Sequence, residues 1–240
     1  MLVPPVADAD QIIGTTGVDG ALLIEPERGD PFIDLLGRHG VPSVVIGDPG
    51  LKGLPFVDLG YGRISGLLIE HLVQSGAKRF PLILGASARV SYVAMQEAYE
   101  AHAARAEMAP RVIRVSEAES TEGARRATLD LLDADPDLDG LLVPVDAFAT
   151  GAMEALRARG RRVPEDVRVV TRYDGLRARS ERPPLTAVDL HLNRVARLAI
   201  DRLILEIVGA AAPNIVSAPQ AELLIRGSSD AIAANSPVPG

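Results

Sequence analysis

The chain has no cysteine and no tryptophan, and aromatic residues make up only 3% of it. Without cysteine, disulfides, thiolate nucleophiles and cysteine-based metal sites are excluded, which fits a reducing cytoplasm. A cationic excess is also lacking: 25 Lys and Arg stand against 32 Asp and Glu, a net charge of −7. The average field therefore repels nucleic acid, and DNA contact would need a local basic patch or another domain. No apolar run reaches the roughly 18 residues of a membrane span. The opening MLVPPVADADQ has neither the charged nor the apolar region of a secretory signal. A soluble, cytoplasmic protein with no membrane contact is expected. His39, His71, His102 and His191 are scattered and lack partners at metal-ligand spacing, so no metal or other cofactor is expected and they are read as surface or boundary residues. Gly14-Thr15-Thr16-Gly17 lacks the Gly-Lys-Ser/Thr ending of a phosphate loop. Ser87 and Ser91 have no visible His–Asp pairing. No catalytic residue is assigned, and an enzyme is not expected.

What is present is an alternation of short apolar runs with helical periodicity. Hydrophobic residues make up 47% of 240, enough for a real core built from Ala, Val, Leu and Ile. Strands are expected at Gly20–Glu25, Ser43–Ile46, Phe56–Leu59, Arg79–Leu84, Arg111–Val115, Gly140–Val145, Val167–Tyr173 and Leu223–Arg226. Helices are expected at Asp30–His39, Arg63–Gln74, Ser91–Arg105, Ser120–Ala134, Thr150–Arg159 and Asn193–Val208. In Arg63–Gln74 the residues Ile64, Leu67, Leu68 and Leu72 recur at helical spacing, and Gly76 closes the helix. This alternation predicts an α/β protein with mostly parallel sheets and helices on both faces. The basic run Arg157–Arg162 reads as a solvated helix end.

The segment Asp139–Val188 carries the most functional information. A buried strand ends just before Asp146, and a second ends at Asp174. Open α/β sheets bind small ligands outside the carboxyl ends of their strands. Asp146 is either the N-cap of the next helix or a ligand group, and one carboxylate can serve both ends. Asp174 is either a turn aspartate before Gly175 or an acceptor for ligand hydroxyls.

Several patterns occur in a fixed order: Val18-Asp19-Gly20-Ala21-Leu22-Leu23, Gly40-Val41-Pro42-Ser43-Val44-Val45, Glu70-His71-Leu72 with Gly76-Ala77-Lys78-Arg79, and Asp146-Ala147-Phe148-Ala149-Thr150-Gly151-Ala152. Val163-Pro164-Glu165-Asp166-Val167, Tyr173-Asp174, Pro183-Pro184-Leu185-Thr186-Ala187-Val188 and Glu222-Leu223-Leu224-Ile225-Arg226-Gly227-Ser228-Ser229 follow. Each alone is weak; together they resemble the effector-binding core of LacI/GalR-family transcriptional regulators. The resemblance implies a two-lobed fold of the type I periplasmic-binding-protein kind. The N-terminal lobe would be residues 1–59 and 189–212, the C-terminal lobe 60–188 and 213–229, and 230–240 a flexible tail. It also implies a small-molecule effector in the cleft between lobes, a homodimer, and operator DNA bound through a helix-turn-helix domain that does not precede Met1. By the same comparison Leu2-Val3-Pro4-Pro5 resembles the family's second strand, so the N-terminal lobe is expected to lack its first strand and helix. A solute-binding protein serving a transporter is the second reading of the same fold.

The resemblance assigns Asp174 to a ligand hydroxyl, with Asp146 beside it. It also shows departures. A family arginine that grips the ligand falls, anchored on Tyr99, at Met95; a family asparagine is Val145; a family glycine is Arg172. Arg89 and Tyr92 are candidate replacements, Tyr92 by stacking. Phe148 is a candidate wall of the cleft, with core packing as the alternative. These substitutions argue against a simple sugar pocket.

Overall fold

The computed structural model describes residues 17–230. The expectations for Leu2–Pro5, for Gly14–Thr16 and for a tail over 231–240 lie outside the described residues. The chain divides into two compact units. One comprises residues up to Leu59 with Ala88–Ser91 and His191–Pro219; the other comprises Gly60–Ser87, Tyr92–Leu190 and the chain from Gln220 onward.

The first unit holds strands β1 (Ala21–Ile24), β2 (Ser43–Ile46), β3 (Phe56–Asp58) and β9 (Ile215–Ser217) in one parallel sheet of that order. Helix α1 (Pro31–Arg38) begins where Asp30 accepts a hydrogen bond from the Phe32 N–H, and Pro31 sits in its first turn. There its missing N–H costs nothing. Leu35 and Leu36 of α1 pack on Leu23 and Val45. The opposite face of the sheet is covered by helix α7 (Leu192–Ile207).

The second unit has a six-stranded sheet. Its strands are β4 (Leu82–Gly85), β5 (Val112–Val115), β6 (Gly140–Leu142), β7 (Arg168–Tyr173), β8 (Thr186–Asp189) and β10 (Glu222–Leu224), ordered β10-β8-β7-β6-β4-β5. All neighbours are parallel except β10, which runs antiparallel to β8. β4 and β6 are buried at every residue, because a parallel sheet is covered on both faces and its strands read as continuous apolar runs. Ile83, Leu141, Val169 and Ala187 point to a core shared with helices α4 (Ser120–Ala134) and α5 (Asp146–Ala158). On the other face, α2 (Tyr61–Gln74) packs against β6, β7 and β8. Helix α3 (Val90–Arg105) follows β4, and its Tyr99 hydroxyl donates to the Phe80 carbonyl at 2.9 Å. Helices α4 and α5 cross closely at Gly151, where a Cβ would lie 2.1 Å from the Thr121 carbonyl oxygen. No side chain fits there.

Several local expectations need correction. Helix α5 starts at Asp146 rather than Thr150, with Val145 as its cap residue. A short helix α6 (Leu176–Ser180) and strands β8 and β9 were not anticipated. His71 is buried, not a surface residue, with Nε2 2.7 Å from the Ser229 hydroxyl. His102 stacks on Phe80. The basic run at the end of α5 is more than a solvated end: Arg159 makes a bidentate pair with Asp133, and Arg161 donates to the Pro136 and Leu138 carbonyls. These contacts tie the end of α5 to the end of α4.

Candidate functional site

Within the second unit, four parallel strands bring their carboxyl ends to one edge. β4 delivers Gly85 and Ser87, β5 delivers Glu117, β6 leads to Asp146, and β7 leads to Asp174. Glu117 accepts a hydrogen bond from the Ser87 N–H at 3.2 Å. Gly85 is needed here: a Cβ would lie 2.3 Å from the Glu117 carboxylate and 2.4 Å from the Tyr92 ring. Arg114 donates to the Gly85 carbonyl at 2.8 Å. The buried Ser87 hydroxyl has no hydrogen-bond partner among the described residues.

The two aspartates differ sharply. The side chain of Asp174 is only 5% exposed. Arg179 donates to both its oxygens, Nε to Oδ1 at 3.1 Å and Nη2 to Oδ2 at 2.7 Å, and Arg226 Nη2 donates to Oδ1 at 2.6 Å. Burial raises its pKa, but the hydrogen bonds and charges of Arg179 and Arg226 outweigh that, so the carboxyl titrates below the usual carboxylate range. Asp146 is open by comparison, with its side chain 36% exposed. Its Oδ1 accepts from the Ala147 N–H at 2.7 Å, a bond within the first turn of α5. Its Oδ2 lies 4.0 Å from Arg177 Nε, beside the Asp174–Gly175 turn. One oxygen thus serves the helix, and the other is available at the edge.

The other candidates fall in different places. Arg172 is 2% exposed, with its guanidinium 5.1 Å from the Tyr61 ring centre and 4.7 Å from that of Tyr173. It is a packed cation inside the unit, stabilised by the negative faces of the rings. Phe148 is 1% exposed and belongs to the core of α4, α5 and the sheet, so it does not wall a cleft. Met95 is likewise buried. Tyr92 is buried against Gly85 in the second unit. Arg89 packs with the first unit, where Nη1 donates to the Glu25 carbonyl at 2.7 Å and the backbone bridges Glu27. Asp146 and Asp174 are therefore neighbours, and Arg89 is committed to the end of β1. Arg177, Arg179, Arg226 and Glu117 were missed. The visible signal was the arginine spacing in Asp174–Ser180, directly after the strand.

The carboxylates and guanidinium groups of this edge can bind hydroxyls and polar heads. Among the described residues no group of side chains could hold a metal ion, and no helix is long and apolar enough to cross a membrane.

Residues 69–229 match the model of the periplasmic binding protein-like domain. The HTH-type transcriptional regulator CelR of Thermobifida fusca is 34% identical over 196 residues, covering 78% of this chain and 57% of that protein. The HTH-type transcriptional regulator reg1 of Streptomyces lividans is 29% identical, covering 88% of this chain and 64% of its own length. The chain thus spans about three fifths of these curated relatives. A solved LacI family transcriptional regulator from Bifidobacterium animalis subsp. lactis is similar with a TM-score of 0.79 and 28% identity, over 92% of this chain and 81% of that one. A solved complex of the regulator CelR with cellobiose has a TM-score of 0.73 and 30% identity, over 91% and 68%.

Proposed function

The chain belongs to the periplasmic binding protein-like domain family, and we propose that it is the effector-sensing core of a LacI-type transcriptional regulator. The effector is a small polar metabolite rich in hydroxyl groups, in keeping with the cellobiose bound by one similar regulator. The observation that carries this reading is the open carboxylate of Asp146 next to the arginine-locked Asp174 at the carboxyl edge of β6 and β7. A carboxylate oxygen accepts two hydrogen bonds, and adjacent hydroxyls of a polyol supply them. Arg177, half-exposed beside Asp146, supplies the complementary donor.

In the full-length protein the mechanism is linkage. An effector that prefers one conformation shifts the population toward it, and the same bias alters affinity for operator DNA. DNA contact belongs to a helix-turn-helix domain of the kind named in the relatives. The functional unit is a homodimer acting in the cytoplasm.

The test is thermal-shift screening of mono- and oligosaccharides and nucleosides on the wild type and on Asp146→Asn. At least one compound is expected to raise Tm in the wild type and to lose most of that effect in the variant. A stabilising compound whose effect survives Asp146→Asn would remove this edge as the effector site.

A further inference from the structure

Helix α7 carries its larger apolar side chains on the outside. Its buried residues are Val195, Ala199 and Arg202, whereas Leu192, Ala196, Ile200, Ile204, Ile207 and Val208 are exposed, Ile204 by 52%. A surface helix ordinarily directs its isoleucines to the core. Leu192, Ala196, Ile200, Ile204 and Val208 stand four residues apart, so they form one stripe along the helix.

The stripe lies on the flank toward β1. A Cβ on Gly20, the residue before β1, would lie 3.0 Å from Cδ1 of both Leu203 and Ile207. Among the described residues β1 pairs only with β2, so it is an edge strand. Leu23 packs with α1, and the alternation of the strand turns Leu22 and Ile24 to the α7 side. Both are exposed, Ile24 by 66%. The N–H groups of Ala21 and Glu25 donate to the Pro42 and Ile46 carbonyls on the β2 side, so those of Leu22 and Ile24 point to the free side. An open strand edge and an apolar stripe thus share one flank of the first unit.

We propose that this flank docks a second copy of the chain about a twofold axis; this gives the homodimer proposed above its surface, and it rests on that reading. The stripe is self-complementary, as a twofold contact requires. With antiparallel helices centred on Ile200, Leu192 faces Val208, Ala196 faces Ile204 and Ile200 faces its own copy. The charges agree with that register. Arg197 and Asp201 border the stripe, and neither has an ion pair among the described residues. In the dimer Asp201 of the second copy comes within about 3 Å of Arg197 along the helix axis, and symmetry repeats the pair. The same axis serves the strands. Leu203 and Ile207 sit at Gly20, and α7 leads to β9, which runs parallel to β3 in this sheet, so the helix runs back along β1. From Gly20 to Leu22 the strand advances about 7 Å, the rise of roughly four or five helix residues, which brings Leu22 near Ile200. β1 then pairs antiparallel with its own copy, and the open edge is closed.

The test is light scattering on the chromatographed whole chain, with sedimentation equilibrium for the Kd. The wild type is expected at twice 25.3 kDa. Ile200→Glu sets two like charges against each other on the axis and is expected to weaken association by about a hundredfold or more. Ile200 is exposed, so the variant keeps its fold, which circular dichroism checks. Arg197→Asp is expected to weaken association by about threefold, and adding Asp201→Arg to restore it. Val73→Glu, at an exposed apolar position of the second unit, is expected to change nothing. A single-chain mass for the wild type would overturn both this surface and the homodimer, and leave the flank to a segment of its own chain or to another protein. A dimer that survives Ile200→Glu would overturn this surface alone. Failure of the reversed charge pair to restore affinity would overturn the antiparallel register.

Discussion

Asp174→Asn is the substitution that probes the second unit most directly. The side chain keeps its shape but loses its charge and one acceptor. Arg226, only 22% exposed, then retains its bond to the Leu185 carbonyl but loses its anion. A charge-assisted hydrogen bond of this kind contributes about 1.5–3 kcal/mol. Arg179 is well exposed and can turn into water, so its share is small. The expected loss is thus about 2 kcal/mol, a large part of a typical total of about 5–15 kcal/mol. Urea unfolding followed by far-ultraviolet circular dichroism measures it. With two units, the transition assigned to the second is the one to compare. The pH dependence follows from the lowered pKa of Asp174. Its stabilisation is full above the unfolded-state value of about 3.9 and is lost as pH falls toward the lower folded value. The gap between wild type and variant should stay constant from neutral pH to about pH 5 and narrow below about pH 4. A gap at neutral pH under about 0.5 kcal/mol, or one that persists unchanged at the acid end, would refute the ionic lock.

Gly151→Ala drives a methyl group into the Thr121 carbonyl and is expected to cost about 3 kcal/mol or more by chemical denaturation. Gly66→Ala in α2 meets nothing nearer than the Glu70 carboxylate at 3.8 Å and should instead stabilise by about 0.5–1 kcal/mol. Burial lowers the pKa of His71, with Asp230 partly opposing; its NMR titration should fall below the ordinary value of about 6.5. The unfolded chain then binds the proton first, so stability declines as pH drops from about 6.5 toward the folded value, a slope that His71→Asn should flatten.

The sheets were readable where burial is continuous. VVI within β2 and LIL within β4 are apolar throughout because both faces are covered. β8 was hidden behind Pro183-Pro184, and β9 has only three residues, too short for a pattern. The aspartates were readable because strand ends mark ligand edges. Their difference was not, since Arg226 lies 52 residues from Asp174 in the chain and meets it only through the fold. Phe148 follows the same logic: a position near the start of a helix says nothing about which face is covered. Arg89 follows β4 of the second unit yet joins the first, a path no local pattern encodes.

The stretch Arg226–Ser229 also bears on the order in which the protein can be made. Ser228 accepts the Thr186 N–H at 2.8 Å and donates to the Val169 carbonyl, while Ser229 meets His71. The first unit likewise takes in His191–Pro219. The first unit is incomplete until Pro219 has been made and the second until Ser229 has, so the first cannot finish folding before most of the second has emerged. Until Ser228 emerges, β7 and β8 hold open hydrogen-bonding groups. That interval is when chaperones have most to cover, and a pause in translation before Arg226 would prolong it.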